Sequence, residues 1–267
     1  MSQTINSLLP FEERHRPQRF SELVFANPLV AQHLEYYAQY QVHGNLLLYG
    51  PYGTAKSSTA LMIVRERLIA CGMLQHHVAK AHAQDLKGKV WTLEANIETL
   101  LFVNNADPHP YVIIDEIDQL SAKEQWQLRA LLDKYAAVKI IATTNNLSDV
   151  DGGIRSRCDC LHVGMPQPQD WLSRAQQILA LEGVQVNSQA LLAVLNTTTD
   201  ARDVMRALER LVLASHRKTN TTVMAPVVTL AVHTAPKATV PNAVVPNTAA
   251  AGTTAPNSVG QSTANTP

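Results

Sequence analysis

Cysteine is scarce in this chain of 267 residues. Cys71, Cys158 and Cys160 are too few, and odd in number, for a disulfide framework, so a reducing compartment, the cytoplasm, is expected. Charge is also thin, with 16% charged residues. The 22 basic and 22 acidic side chains cancel, so bulk electrostatics favour neither a nucleic acid nor an acidic partner, although a local basic stripe could exist. No apolar run reaches the eighteen or so residues of a spanning helix. The N-terminal stretch carries Glu12 and Glu13 and no long apolar segment, so no secretory signal is expected. These shortages exclude a disulfide-stapled secreted scaffold, a helical membrane protein and a collagen-like fibre. What remains is an ordinary globular composition, 46% apolar, long enough for one large domain or two small ones.

Composition breaks near residue 218. From Thr219 to Pro267 there is no acidic residue and one lysine, Lys237, and six of the fourteen prolines fall there. No apolar period survives, and a disordered tail is expected over 218–267. Residues 1–165 read as alternating strand and helix. Asn27-Pro28 is a cap followed by proline at the first helical position. Asn45–Tyr49 reads as a buried strand and Lys56 to about Ala70 as a helix. Further strands are expected at Val90–Leu93, Tyr111–Ile114, Val138–Ala142 and Leu161–Val163, with a helix carrying Leu128, Leu131, Leu132 and Tyr135 before the fourth. The unbroken apolar runs suit a parallel sheet covered on both faces, which makes the class α/β. Residues 166–217 carry helical spacing only: Leu172, Ala175, Ile178 and Leu179 share a face, Ser188 can cap the next helix and Asp200 the last.

Gly50-Pro51-Tyr52-Gly53-Thr54-Ala55-Lys56-Ser57 follows a predicted strand and opens a predicted helix, with Ser58 next. That context suits a phosphate-binding loop, in which backbone N–H groups and the helix dipole meet the phosphates. Lys56 would reach the terminal phosphates and Ser57 would bind Mg²⁺. Ala55 stands where the usual pattern has glycine, and is tolerable if its backbone lies near the helical region. Asp115-Glu116 ends the third strand. There Asp115 can hold Mg²⁺ through water, and Glu116 can orient and deprotonate an attacking water. Thr143-Thr144-Asn145-Asn146 ends the fourth strand, so an amide here, Asn145 foremost, could contact a γ-phosphate, whereas Asn146 suits a turn. Arg157 sits on a polar loop after Gly152-Gly153 and could enter a neighbouring subunit's site.

Together these residues resemble the AAA+ ATPases, and within them the clamp-loader subunits, over about residues 14 to 213. Arg16-Pro17-x-x-Phe20 is similar to the family's opening motif beside the adenine, Gly50–Ser57 to its Walker A and Asp115-Glu116-Ile117-Asp118 to its Walker B. Asn145 matches sensor 1. Ser156-Arg157-Cys158 matches the family's trans-acting arginine motif. Asp200-Ala201-Arg202 is similar to sensor 2, with Arg202 acting in cis. Leu93–Asn96 resembles the end of the second strand, where Asn96 would restrain the catalytic Glu116. The resemblance implies a P-loop AAA+ three-layer domain with a parallel sheet, a small all-α lid, ATP and Mg²⁺ as ligands, and a ring or helical oligomer of self or related subunits. DNA and a sliding clamp or other protein are the implied partners, in replication or a mobile element.

The low-complexity tail occupies the position of the family's helical collar, so assembly would rest on the AAA+ faces, a partner or DNA. Phe25-Ala26 replaces the usual Gly-Gln. Ala55 is more often seen in MoxR-type chaperones, which leaves a protein-remodelling role open beside a DNA-coating regulator or helicase loader. His76, His77 and His82 read as a solvated loop rather than a metal site, and Cys158-x-Cys160 is too tight for zinc. Trp126 and Trp171 read as packing residues. Lys123, Arg129 and Lys134 make the helix after Walker B mildly basic, and the resemblance implies that this region faces DNA.

Overall fold

The computed structural model describes residues 9–72, 78–103 and 109–223, with side chains to residue 217. These lie in one compact unit. Five parallel strands form the sheet: β1 Asn45–Tyr49, β2 Ala79–His82, β3 Tyr111–Asp115, β4 Lys139–Thr144 and β5 Cys158–His162, in the spatial order β2-β3-β4-β1-β5. The helices are α1 Phe11–Arg14, α2 Pro28–Ala38, α3 Lys56–Ala70, α4 Ala83–Leu86, α5 Trp91–Val103, α6 Ala122–Lys134, α7 Gly152–Arg155, α8 Pro168–Leu181, α9 Ser188–Leu195 and α10 Ala201–Val223.

Successive strand residues point to opposite faces, and both faces are buried. Leu46, Leu48, Ile113 and Ile141 pack with Ile63 and Leu68 of α3 and Leu34 of α2. Leu47, Val112, Ile114 and Ile140 pack on the other face with Leu93, Ile97 and Leu100 of α5 and Leu128 of α6. This makes the three-layer AAA+ arrangement expected from the sequence. A third core belongs to the lid, where Ala175, Ile178, Leu179, Leu191, Leu195, Val204 and Leu208 enclose Phe11 from the N-terminal segment. Caps are read well in the sequence at two helices: Asn27 accepts from the Leu29 N–H, and Asp200 Oδ1 accepts from the Asp203 N–H. At α9 the cap is Asn187, one residue before the expected Ser188.

The expected second strand at Val90–Leu93 is overturned. That stretch leads into α5, on which Leu93, Ile97 and Leu100 keep a helical spacing, so Asn96 sits on a helix and not at a strand end. The strand is instead Ala79-Lys80-Ala81-His82, a short polar edge whose composition gives no apolar signal. β4 runs two residues further than expected, taking in Thr143 and Thr144, and β5 begins three residues earlier, at Cys158. The helix α10 reaches Val223, past the composition break at 218. The rest of the expected tail, 224–267, and His76 and His77 lie outside the described residues.

Candidate functional site

The loop between β1 and α3 is shaped by two glycines that no other residue could replace without a clash. At Gly50 (φ +150°) an added Cβ would come within 2.2 Å of the Val163 carbonyl oxygen, and at Gly53 (φ +75°) within 2.5 Å of Asp200 Cβ. The lid thus touches the loop directly, and the Ala201 N–H donates to the Gly53 carbonyl over 3.2 Å. Ala55 is left-handed (φ 62°, ψ 21°), contrary to the expectation of a near-helical backbone, because the loop must reverse before α3 begins. Lys56 is buried and donates from Nζ to the carbonyls of Gly50 (2.8 Å) and Pro51 (2.6 Å). Burial pushes its ammonium below the ordinary lysine value, while the carboxylates of Asp118, Glu116 and Asp115 act in the opposite sense.

Asp115 closes β3 and is 1% exposed. The Thr143 hydroxyl, from the neighbouring β4, donates to its Oδ1 over 3.2 Å and accepts from the Glu116 N–H at 3.1 Å. Glu116 is itself left-handed (φ 58°, ψ 49°). A non-glycine residue held there is strained by roughly 1–2 kcal/mol, a condition that clusters at functional sites. Lys80 lies 2.6 Å from Asp115 Oδ2, and His82 Nε2 is 4.0 Å from the same oxygen. Both come from β2, directly in register with β3.

These groups line a cavity of about 400 Å³ between sheet and lid, a size that suits a small-molecule ligand. Arg16, Pro17, Tyr52, Gly53, Thr54, Ala55, Lys56, Ser57, Ser58, Asp115, Glu116, Asn145 and Arg202 all face it. Gly50 and Pro51 stand behind, supplying the carbonyls that hold Lys56. Leu23, Val24, Pro166, Trp171, Ile178 and Met205 are apolar side chains that line the same cavity, as do the charged Arg16, Glu13 and Arg174. Arg157 is apart from the cavity, in the turn between α7 and β5, where its Nε and Nη2 donate to the two oxygens of Asp133. Sequence reasoning missed Lys80 and the role of Thr143, and it read His82 as part of a solvated loop, whereas His82 ends strand β2 beside Asp115. Lys80 carried no signal, and His82 no strand signal, because β2 was not recognised; Thr143 could have been found from the parallel pairing of the third and fourth strands.

The opening segment is strapped to the lid. Glu182 Oε1 is 2.6 Å from both His15 Nε2 and Arg14 Nη1, and Arg174 Nη2 donates to the His15 carbonyl (3.2 Å) and to Glu22 (3.1 Å). Burial pushes the Glu182 carboxyl up, but the hydrogen bonds from His15 and Arg14 outweigh it and hold it below the ordinary glutamate value. Asn146 serves a turn, accepting from the Ser148 N–H. Trp171 packs on the lid core, whereas Trp126 is 59% exposed on α6, correcting the expectation that it packs. Of the basic residues on α6, Arg129 faces Asp151 at 3.6 Å and Lys134 pairs with Glu94, which leaves Lys123 as the exposed cation of the three without an ion pair among the described residues. Among the described residues no group of three metal-binding side chains of the His, Cys, Asp and Glu types comes together, and the three cysteines are free.

Residues 46–163 match the model of the family described as ATPase family associated with various cellular activities (AAA). The matched span contains the Gly50–Ser57 loop, Asp115-Glu116, Asn145 and Arg157. The matched stretch is AAA-like. It is 27% identical over 214 residues to "Probable replication factor C subunit 5" of Dictyostelium discoideum, covering 78% of this chain and 60% of that protein. It is also 27% identical over 206 residues to replication factor C small subunit 2 of Pyrobaculum aerophilum, covering 76% and 63%. The chain thus spans about three fifths of the length of these relatives. In fold it is similar to the RuvB Holliday junction branch migration motor of Thermotoga maritima, with a TM-score of 0.61 and 18% identity over 81% of this chain and 68% of that one. These likenesses agree with the AAA+ fold of sheet and lid read above. No helix of the described residues is long and apolar enough to cross a membrane.

Proposed function

We propose that this AAA domain binds ATP in the cavity between sheet and lid and hydrolyses it at contacts between subunits, to drive clamp-loader-like remodelling on DNA. The observation that carries the reading is the convergence of Lys56, Ser57, Asp115, Glu116, Asn145 and Arg202 on one cavity that apolar side chains also line, a mixed polarity. That polarity matches a nucleotide, with its phosphates at the loop and its base between Val24, Ile178 and Met205. Lys56 is already placed where it can exchange two carbonyl partners for phosphate oxygens. The donor set also fits Mg²⁺: a serine hydroxyl on the loop and a buried aspartate carboxylate are hard oxygen ligands. Ser57 and Asp115 would hold the ion, Asp115 through water, since Thr143 and Lys80 already engage its two oxygens. Mg²⁺, when bound, neutralises phosphate charge.

The chain's own groups do the rest. Glu116 orients a water and accepts its proton as the water oxygen bonds to the γ-phosphorus, and the bond from that phosphorus to the bridging oxygen breaks to leave ADP and phosphate. Asn145 and Arg202 steady the γ-phosphate from the sheet and lid sides. Arg202 adjoins Ala201, whose N–H is bonded to the loop, so its position reports the state of the lid. Arg157, remote from its own cavity, would act on that of a neighbour. ATP then favours an assembled state with high affinity for its partner, and hydrolysis releases it. The replication factor C relatives support the DNA-replication setting; self or related subunits, DNA and a sliding clamp are the partners proposed, in the cytoplasm.

The test is steady-state ATP turnover against protein concentration, with and without primed DNA. Turnover that climbs steeply with concentration and rises with DNA is expected. Turnover indifferent to DNA would remove the DNA-directed role. In Glu116→Gln, ATP should still bind while turnover falls by about a hundredfold or more. Unchanged turnover there would remove Glu116 from the reaction.

A further inference from the structure

Helix α6 grips the segment that carries Arg157 at three positions spaced i, i+4 and i+8 along one face. Gln125 is buried, donates to the carbonyls of Leu120 (3.1 Å) and Asp149 (2.9 Å), and accepts from the Asp151 N–H (2.6 Å). Arg129 faces Asp151 and lies so close over Gly153 that a Cβ there would meet its Nη1 at 2.6 Å. Asp133, one turn on, takes the side edge of the Arg157 guanidinium with both oxygens: Nε donates to Oδ1 over 2.8 Å and Nη2 to Oδ2 over 3.1 Å. The remaining nitrogen, Nη1, donates to the Gly153 carbonyl at 2.8 Å. The Arg157 backbone is tied as well, its carbonyl accepting from Asn45 Nδ2 at 3.0 Å. Three of the five guanidinium N–H bonds are therefore committed within the chain, and two, one on each terminal nitrogen, are left for an anion.

We infer that Asp133 is a positioning residue for Arg157, fixing the side edge of the guanidinium so that the outer edge is presented to a phosphate in a neighbouring subunit's site. The inference rests on the trans role proposed above for Arg157. An exposed ion pair of this kind adds little to folding stability. Its effect lies in geometry: a long, flexible side chain that must cross a subunit boundary is delivered already oriented, and a misplacement of about 1 Å at such a group can cost up to a hundredfold in rate. Because the carboxylate bonds Nε and Nη2 together, a single-oxygen substitute cannot reproduce the orientation.

The experiment mixes two full-length variants in equal amounts with primed DNA. Lys56→Ala subunits keep Arg157 but lose the phosphate-binding lysine; Arg157→Ala subunits keep the phosphate loop but lack the guanidinium. The mixture is expected to recover turnover that neither has alone. Asp133→Ala is then added to one component at a time. In the Lys56→Ala subunit, which supplies the guanidinium, it should lower the recovered turnover about tenfold or more. In the Arg157→Ala subunit, which has no guanidinium to orient, it should change turnover by less than about twofold. Asp133→Glu in the supplying subunit should retain more turnover than Asp133→Asn, since it keeps the two-oxygen fork. Equal losses from both placements, no loss from either, or a gain in the supplying subunit would overturn the role of Asp133 while leaving the trans role of Arg157 standing. Failure of the parent mixture to recover turnover would overturn both, and melting curves of the single variants show whether each is folded.

Discussion

Ala55 and Glu116 show at the scale of one residue what the site demands of its backbone. Both hold left-handed conformations that a side chain disfavours, one where the Gly50–Ser57 loop turns into α3 and one where β3 ends and the carboxylate of Glu116 follows. Replacing Ala55 by glycine relieves about 1 kcal/mol of strain, partly offset by the wider freedom of glycine in the unfolded chain. Ala55→Gly should therefore raise the melting temperature slightly or leave it unchanged, and leave ATP binding intact; a clear loss of stability would contradict the left-handed assignment. Lys80 supplies a second test. Its ammonium competes for Asp115 Oδ2, so Lys80→Ala should lower the Mg²⁺ concentration needed for half-maximal turnover. Cys158 supplies a third. Burial, with Cys160 and Asp159 nearby, pushes its thiol up to about 12, so thiolate is almost absent at neutral pH and alkylation should be slow until the protein is unfolded.

Elements meet through few but specific polar contacts, and two of these joints make predictions. The buried amide of Gln125 joins the segment after β3, at Leu120, to the segment before α7, at Asp149 and Asp151. Gln125→Ala removes the side-chain partners of three backbone groups and should cost roughly 1–3 kcal/mol, read from denaturant unfolding. The joint between α1 and the lid depends on the ionised form of Glu182. Its carboxyl is held below the ordinary value, so it binds fewer protons folded than unfolded. The stabilisation is complete above the unfolded value of about 4.3 and is lost as pH falls through the lower folded one. Glu182→Gln should flatten that acid limb of the melting curve, and an unaltered limb would assign the acid loss to other groups. Elements also explain where the sequence was hard to read. Trp91–Val103 begins with residues that favour strands, yet Leu93, Ile97 and Leu100 bury one helical face. β2 is polar on its exposed positions, because an edge strand does not need apolar residues on both sides.

At the scale of the whole molecule, sheet and lid share the cavity, and the Arg157 side chain is turned away from it. In the proposed reading the site lacks one cation in cis, and turnover is then a property of the assembly. The concentration dependence of turnover is accordingly the first quantity to measure: it should collapse on dilution, and Arg157→Ala should lower it by about a hundredfold or more while ATP binding persists. Turnover per subunit that stays constant on dilution to a verified monomer would remove the need for a neighbour. The pairing of Arg129 and Lys134 within the chain reduces the positive face of α6, so any DNA affinity should fall only modestly with salt, as a few phosphate contacts dictate.

The glycine-rich turn at 50–57, the place of Asp115-Glu116 and Asn145 at strand ends, and the buried strands β1, β3 and β4 are legible in the sequence because their signals are local. A glycine-rich turn between a strand and a helix, or a carboxylate closing an apolar run, carries its meaning within a few neighbouring residues. The lid helices are legible for the same reason, through their apolar spacing. Only the tertiary structure decides the partners that come from distant stretches: Lys80 on Asp115, Thr143 bridging Asp115 and Glu116, Asp200 against Gly53, Glu182 on His15, and Asp133 on Arg157. These are charged and polar residues that have no periodicity of their own and acquire a role when parallel strands set their register and the lid closes on the loop. The left-handed backbone of Ala55 and Glu116 belongs with them, since the strain of such residues is borne by packing that the local sequence does not contain.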